Sequence, residues 1–202
     1  MEQIFRSLHK DSVQRRIQRA EREGLSYATG RSEVLVDDFY RLLLITRRRH
    51  HLLPQPRAWF NNLVECMGDK VQIRVTGKKG RPIAAMLTLR HGSTVTYKYG
   101  CSDERLHNLG AMPFLLWKLI EESKASGAEK IDFGRSDLDQ ESLITFKDKF
   151  GTTKRLLNYY RYPQAPKQKP VAWGEHAIRQ FFSMLPDAFS STAGRLVYRH
   201  MG

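Results

Sequence analysis

Phe146 and Lys147 set an aromatic beside a cation just before the glycine at Gly151. They close a stretch, Thr96 to Gly151, that reads as strand, polar loop, helix, strand, loop, helix. A parallel strand pair bridged by a helix opens a crevice at the strand ends, where ligands tend to bind. Lys147, Lys149, Lys154 and Arg155 cluster beside that crevice, so an anionic or phosphate-bearing ligand is expected there. Tyr97 and Tyr99, two residues apart on one strand, are expected to share a face and line the pocket. Asp132 reads as mid-strand at the centre of the sheet, where a carboxylate needs a partner to offset desolvation. Arg135, three residues on, is either its ion-pair partner or half of a substrate clamp, with Asp137 following. Metal chemistry is not expected. Cys66 and Cys101 are isolated, His50 and His51 are adjacent, and neither pattern has zinc-ligand spacing. There is no P-loop, and Gly77-Lys78-Lys79-Gly80 reads as a turn.

The elements that must position these residues follow from apolar periodicity and Gly/Pro punctuation. Asp11 or Ser12 caps a helix through Glu23 that Gly24 ends, and Leu25 to Thr29 alternates like a short strand. Val36 to His51 is an amphipathic helix with a basic end, Pro54 and Pro56 break it, and Arg57 to Met67 is a second helix. Val71 to Thr76, Pro82 to Arg90 and Thr94 to Tyr99 form an antiparallel meander between tight turns. Asn108 to Ser126 is the strongest helix. Because Pro113 is tolerated only near a first turn, its regular part starts at Gly110 to Met112. Lys130 to Gly134 reads as a short buried strand, Leu138 to Phe150 as a helix and Lys154 to Tyr162 as a strand. Pro163 to Pro170 reads as an extended linker, followed by an amphipathic helix from Ala172 to Leu185 and a short one to Gly202. The expected division is therefore a domain at 1–163 and a linker with a helical tail at 164–202.

The chain has 202 residues, 34 Lys and Arg against 21 Asp and Glu, and a formal net charge of +13. The charge attracts RNA, nucleotide cofactors and anionic bilayers alike. No apolar run reaches the ~20 residues of a membrane span, and residues 1–30 carry no leader pattern. The expected location is cytoplasmic, at most touching the inner membrane face, with both cysteines reduced.

Five short words fall in order and spacing: Tyr97-Lys98-Tyr99-Gly100-Cys101-Ser102, Asn108-Leu109-Gly110-Ala111, Leu115-Leu116-Trp117, Ile131-Asp132-Phe133-Gly134 and Phe146-Lys147-Asp148-Lys149-Phe150-Gly151. Together they resemble the second, GNAT-like half of FemAB-type transferases, over roughly Leu8 to Pro163. The resemblance implies an α+β GNAT-like fold with a mixed, mostly antiparallel sheet. It implies N-acylation of an amine on a cell-envelope or polysaccharide-related substrate, with acyl-CoA or aminoacyl-tRNA as donor. It places Lys147 at the oxyanion or a phosphate and Phe146 along the slot. Arg105, His107, Gly110 and Ala111 fall on the loop that binds the donor, and Tyr97, Tyr99, Asp132, Arg135 and Lys149 on the substrate side. Gly110-Ala111 fits the small-residue requirement for a pyrophosphate cradle only partly, since Leu109 or Met112 stands where a second glycine is expected, which argues against a standard acetyl-CoA enzyme. Relatives carry two such halves. The partners this leaves are a small-molecule, peptide or glycan amine acceptor, tRNA, an anionic membrane surface, and a second copy or a separate partner half. The alternative is a basic RNA-binding or membrane-surface module on a degenerate, non-catalytic GNAT fold.

Overall fold

The structure is a computed structural model that describes residues 1–160 and 162. The expected linker and helical tail at 164–202 lie outside the described residues. A five-stranded sheet runs in sequence order: β1 (Ser26–Gly30), β2 (Val71–Lys78), β3 (Arg81–His91), β4 (Thr94–Ser102) and β5 (Lys130–Asp132). The first four pair antiparallel, and β5 joins β4 in parallel. Lys79 and Gly80, both at positive φ, make the β2–β3 turn, the backbone geometry that keeps a two-residue hairpin in twist with its strands.

Helices cover both faces. On one lie α1 (Glu2–Ser7), α2 (Arg15–Arg22), α5 (Ala111–Ala125) and α6 (Glu141–Asp148), and on the other α3 (Glu33–Arg49) and α4 (Arg57–Met67). Leu115, Leu116 and Leu119 of α5 are wholly buried against Ile17, Ala20 and the sheet. Each such side chain contributes about 2 kcal/mol by leaving water. On the opposite face Phe39 and Phe60 meet edge to face at 5.1 Å between ring centroids. Arg74 in β2 is buried and crosses to α5. Its guanidinium donates to Glu122 (2.9 Å) and to the Thr88 hydroxyl (2.7 Å), while the Tyr27 hydroxyl donates to the same Glu122.

The helices and the meander agree with the sequence pattern to within a few residues, and several details differ. The first helix does not run continuously from Asp11. A π-turn (Lys10–Gln14), capped by His9 accepting from the Ser12 amide, precedes α2. β5 is the sheet edge and is three residues long, so Asp132 is exposed rather than central and Lys130 to Gly134 is not a buried strand. Gly134 at φ +70° turns the chain out of the strand. The segment from Lys154 is not a strand through Tyr160. A strand needs a neighbour's N–H and C=O groups along its length, and β5 has too short an edge to supply them. Leu156, Leu157, Tyr159 and Tyr160 are exposed there.

Candidate active site

β4 and β5 share three residue pairs, ending at Thr96 opposite Asp132. Beyond that point β4 continues to Ser102 without its parallel neighbour, and the sheet opens. A cavity of about 260 Å³ lies at this end, lined by Ser12, Val13, Arg16, Ile83, Ser102, Asp103, Leu106, His107, Ala111, Met112, Pro113, Phe146 and Lys149. The N-terminal hook supplies one wall, the first turn of α5 a second and α6 a third. The His9 amide donates to the Lys149 carbonyl at 2.9 Å, joining the hook to the end of α6.

Tyr97 is fixed deep in this region. Its hydroxyl lies 3.9 Å from the Met112 sulfur, and its ring is 6.2 Å from that of Phe133, which continues through Phe150 to Phe146. Burial pushes its phenol pKa up, so it stays a neutral hydroxyl. Tyr99 does not share its face. The β3–β4 register shifts between Leu87 and Thr88, so that Thr88 opposes Tyr97 and Leu87 opposes Tyr99, leaving Lys98 as a bulge. One extra residue reverses the alternation. Tyr99 therefore packs on Phe39 and Phe60 on the far face.

Phe146 and Lys149 reach the cavity, whereas Lys147 is half-buried beside it and does not line it. The Lys147 ammonium donates to the carbonyls of Gly134 (2.7 Å) and Arg135 (3.2 Å), tying α6 to the end of β5. Burial lowers its pKa, with Asp132 acting the other way. Asp132 and Arg135 are not an ion pair. Asp132 accepts from the Gly134 amide at 2.7 Å, and Arg135 bonds the Tyr159 hydroxyl at 2.9 Å with Asp137 at 3.6 Å. A carboxylate at an exposed edge does not need a cation to offset burial, and its own turn satisfies it.

On the donor-binding loop, Arg105 is committed to Asp103, with two contacts at 2.9 and 2.7 Å, and Arg81 reaches the same carboxylate at 3.0 Å. These guanidinium bonds hold the Asp103 pKa down to about 2. Arg105 is absent from the cavity lining. Gly110, at φ +75°, is a position where a side chain would put its Cβ 2.2 Å from the Arg16 carbonyl, so α2 sits directly over the start of α5. The first turn of α5 then presents the amides of Ala111 and Met112, because Pro113 has none. That is a thin cradle for a pyrophosphate, with a carbonyl oxygen close by. His107 lines the cavity, and its pKa is lowered by burial first and by Arg49 and Arg16 after it. It is neutral near pH 7 and lacks the charge to hold phosphate.

Arg16, Ser12 and Ser102 reach the cavity without having stood out in the sequence. Arg16 is one of four arginines in the segment Arg15–Arg22, and Ser12 reads as a helix cap. Ser102 had a usable signal, since it ends a strand with a parallel neighbour, where crevices form. Among the described residues no three His, Cys, Asp or Glu side chains are grouped to hold a metal ion, and no helix is long and apolar enough to cross a membrane.

The family model described as an acetyltransferase (GNAT) domain matches residues 7–147. A curated relative, the UDP-N-acetylmuramoylpentapeptide-lysine N(6)-alanyltransferase of Weissella viridescens, is 22% identical over 147 residues, covering 71% of this chain and 43% of that protein. The crystal structure of FemX superimposes with a TM-score of 0.68 at 14% identity, covering 75% of this chain and 56% of that one. An aminoglycoside acetyltransferase, meta-AAC0020 from an uncultured soil metagenomic sample, solved with trehalose, gives a TM-score of 0.54 at 10% identity, covering 69% and 97%. The chain thus spans about half the length of the first two proteins. At these identities the structural likeness establishes the fold. With a family model matched over more than half its length, on a mixed sheet that opens between β4 and β5, this chain belongs to the GNAT acetyltransferase-domain family.

Proposed function

We propose that this chain is an N-acyltransferase that moves an acyl or aminoacyl group onto an amine of a cell-envelope or polysaccharide-related substrate. The observation that carries the reading is the cavity where β4 outruns β5, walled by the start of α5 and by Phe146, with the cations Arg16 and Lys149 at its surface. A tetrahedral oxyanion needs positive charge and N–H donors near the reacting carbonyl. The amides of Ala111 and Met112 and the Lys149 ammonium are the cavity groups proposed for it, and Lys147, which stands beside the cavity, is proposed to add positive charge. Phe146 lines the cavity, and Tyr97 backs it through Met112.

An aminoacyl-tRNA donor is favoured over acyl-CoA. The thin amide cradle under the Arg16 carbonyl suits a pyrophosphate poorly, and Arg15, Arg19 and Arg22 leave α2 strongly basic and exposed. The curated relative, named as an alanyltransferase to the lysine of a UDP-N-acetylmuramoylpentapeptide, supports an amine on a cell-wall precursor as acceptor.

The test is direct. The purified chain is incubated with alanyl-tRNA or acetyl-CoA and the lysine-containing UDP-N-acetylmuramoylpentapeptide, and the precursor is weighed by mass spectrometry. The expected result is a precursor one acyl group heavier, formed only in the presence of the chain and in higher yield with alanyl-tRNA than with acetyl-CoA. No gain with either donor, and no thermal stabilisation by either, removes the reading.

A further inference from the structure

Two side chains at the cavity form a close pair that oxyanion binding does not use. Ser102 ends β4 with its backbone held from α3: its amide donates to Thr46 Oγ1 at 3.0 Å, and its carbonyl accepts from the Thr46 hydroxyl at 3.3 Å and from Arg49 at 3.5 Å. Its Oγ lies 2.7 Å from Nε2 of His107, and both residues line the cavity. Resting on the transferase reading above, we propose that Ser102 and His107 are the proton acceptor for the attacking amine, with Ser102 touching the nitrogen and His107 taking the proton.

The acceptor lysine first loses its ammonium proton to solvent; its lone pair then forms the new C–N bond, and the carbonyl oxygen becomes an oxyanion. The nitrogen, now cationic, passes a proton to Ser102 Oγ as Ser102 gives its own to His107 Nε2. The carbonyl re-forms, the bond from acyl carbon to the donor's ester oxygen or thioester sulfur breaks, and the departing atom leaves with the electron pair. The proton on His107 then neutralises it. One amide is made, one ester or thioester is lost, and the one proton released is the ammonium's own.

The surroundings suit a base. Arg49 on α3 and Arg16 on α2 disfavour the imidazolium, while Glu104 and Asp103, on the turn before α5, favour it. Partial burial and the arginines prevail, so His107 is unprotonated near neutrality. The second serine-histidine contact, Ser12 with His9 at 2.9 Å, has a structural explanation, because His9 also accepts the Ser12 amide at 3.3 Å as a cap.

The experiment measures kcat against pH, from 5 to 8, at saturating lysine-containing UDP-N-acetylmuramoylpentapeptide and alanyl-tRNA, for the wild type, His107→Gln and Ser102→Ala. The wild type is expected to lose rate tenfold per pH unit across the range, because the acceptor lysine (pKa about 10.4) must first be neutral, and a hundredfold per unit below a midpoint under 6.5, where His107 protonates as well. His107→Gln is expected to turn over about 10²-fold more slowly and to keep a tenfold slope per unit down to pH 5, the steeper limb gone. In Ser102→Ala, NMR is expected to show a changed His107 midpoint. A wild-type slope that stays at tenfold per unit down to pH 5, which requires no variant, overturns the proposal, as does a steeper limb retained in His107→Gln. Absence of wild-type transfer overturns the transferase reading and this proposal together, which separates the two failures.

Discussion

Gly100 tests whether Tyr97 is fixed where the cavity needs it. A Cβ built on Gly100 would lie 1.6 Å from the Tyr97 hydroxyl oxygen and 2.6 Å from the ring carbon that bears it. Gly100 is not among the positive-φ glycines, so Gly100→Ala imposes no backbone strain and the whole cost is the collision. An ordinary contact is about 3.5 Å, so the ring must move by about 2 Å, between Met112 on one side and Phe133 on the other. Overpacking of this kind costs about 1–3 kcal/mol. The rigid neighbours put it near the upper end, a fall of roughly 6–12 °C in Tm for a domain of this size. Tyr97→Phe removes the hydroxyl but leaves the ring carbon within collision distance, so in that background Gly100→Ala still destabilises. Tyr97→Val removes both, and there Gly100→Ala costs under about 0.5 kcal/mol, giving a coupling of about 2 kcal/mol in a double-mutant cycle. Urea denaturation of the set supplies the cycle. Equal cost in the wild-type and Tyr97→Val backgrounds would refute the proposed seat of Tyr97.

Other perturbations reach different parts of the molecule. Glu122→Leu leaves the Arg74 charge buried with the Thr88 hydroxyl as its remaining side-chain partner, and is expected to cost about 3 kcal/mol in chemical denaturation. Equal stability would mean that Arg74 reaches water. Asp103, held near pKa 2 against an ordinary 3.8, contributes stability that is complete above about pH 4 and fades as pH falls through 2. Wild type should lose about 1 kcal/mol more than Asp103→Asn between pH 4 and 2, a modest figure because the two arginines are well exposed. Urea midpoints at several acid pH values check it, and parallel curves would count against the ion pairs. Lys147→Met, which removes both donations to the end of β5, is expected to lower transfer at least tenfold with the far-UV spectrum unchanged. An unchanged rate would leave Lys147 as a structural strut.

What the sequence made legible is what repeats along it. Period-two alternation in the meander, the apolar face of α5, and punctuation at Gly68, Gly80, Gly92 and Gly127 are local signals, and the strands and helices follow from them. The end of β4 was a legible place for a cavity, since ligands tend to bind at the strand ends of a parallel pair, but no residue of β5 lines the one found there. The side-chain assignments failed where they depended on one residue of register or on a remote partner. Tyr99 faces the wrong way because Lys98 is a bulge, and nothing in the alternation from Thr94 to Cys101 marks an extra residue. Arg105 is taken by Asp103, two positions before it, in company with Arg81 from another strand, a contact visible only once β3 and β4 are side by side. Asp132 lost its reason for a partner when β5 proved to be an edge. Arg16 and Ser12 came to the cavity because the N-terminal hook lies over Gly110, whose missing side chain leaves room for the Arg16 carbonyl. That one contact sets a carbonyl beside the two-amide cradle and brings the arginine to the cavity surface. Gly110→Ala should therefore disturb binding of any donor before it disturbs the sheet.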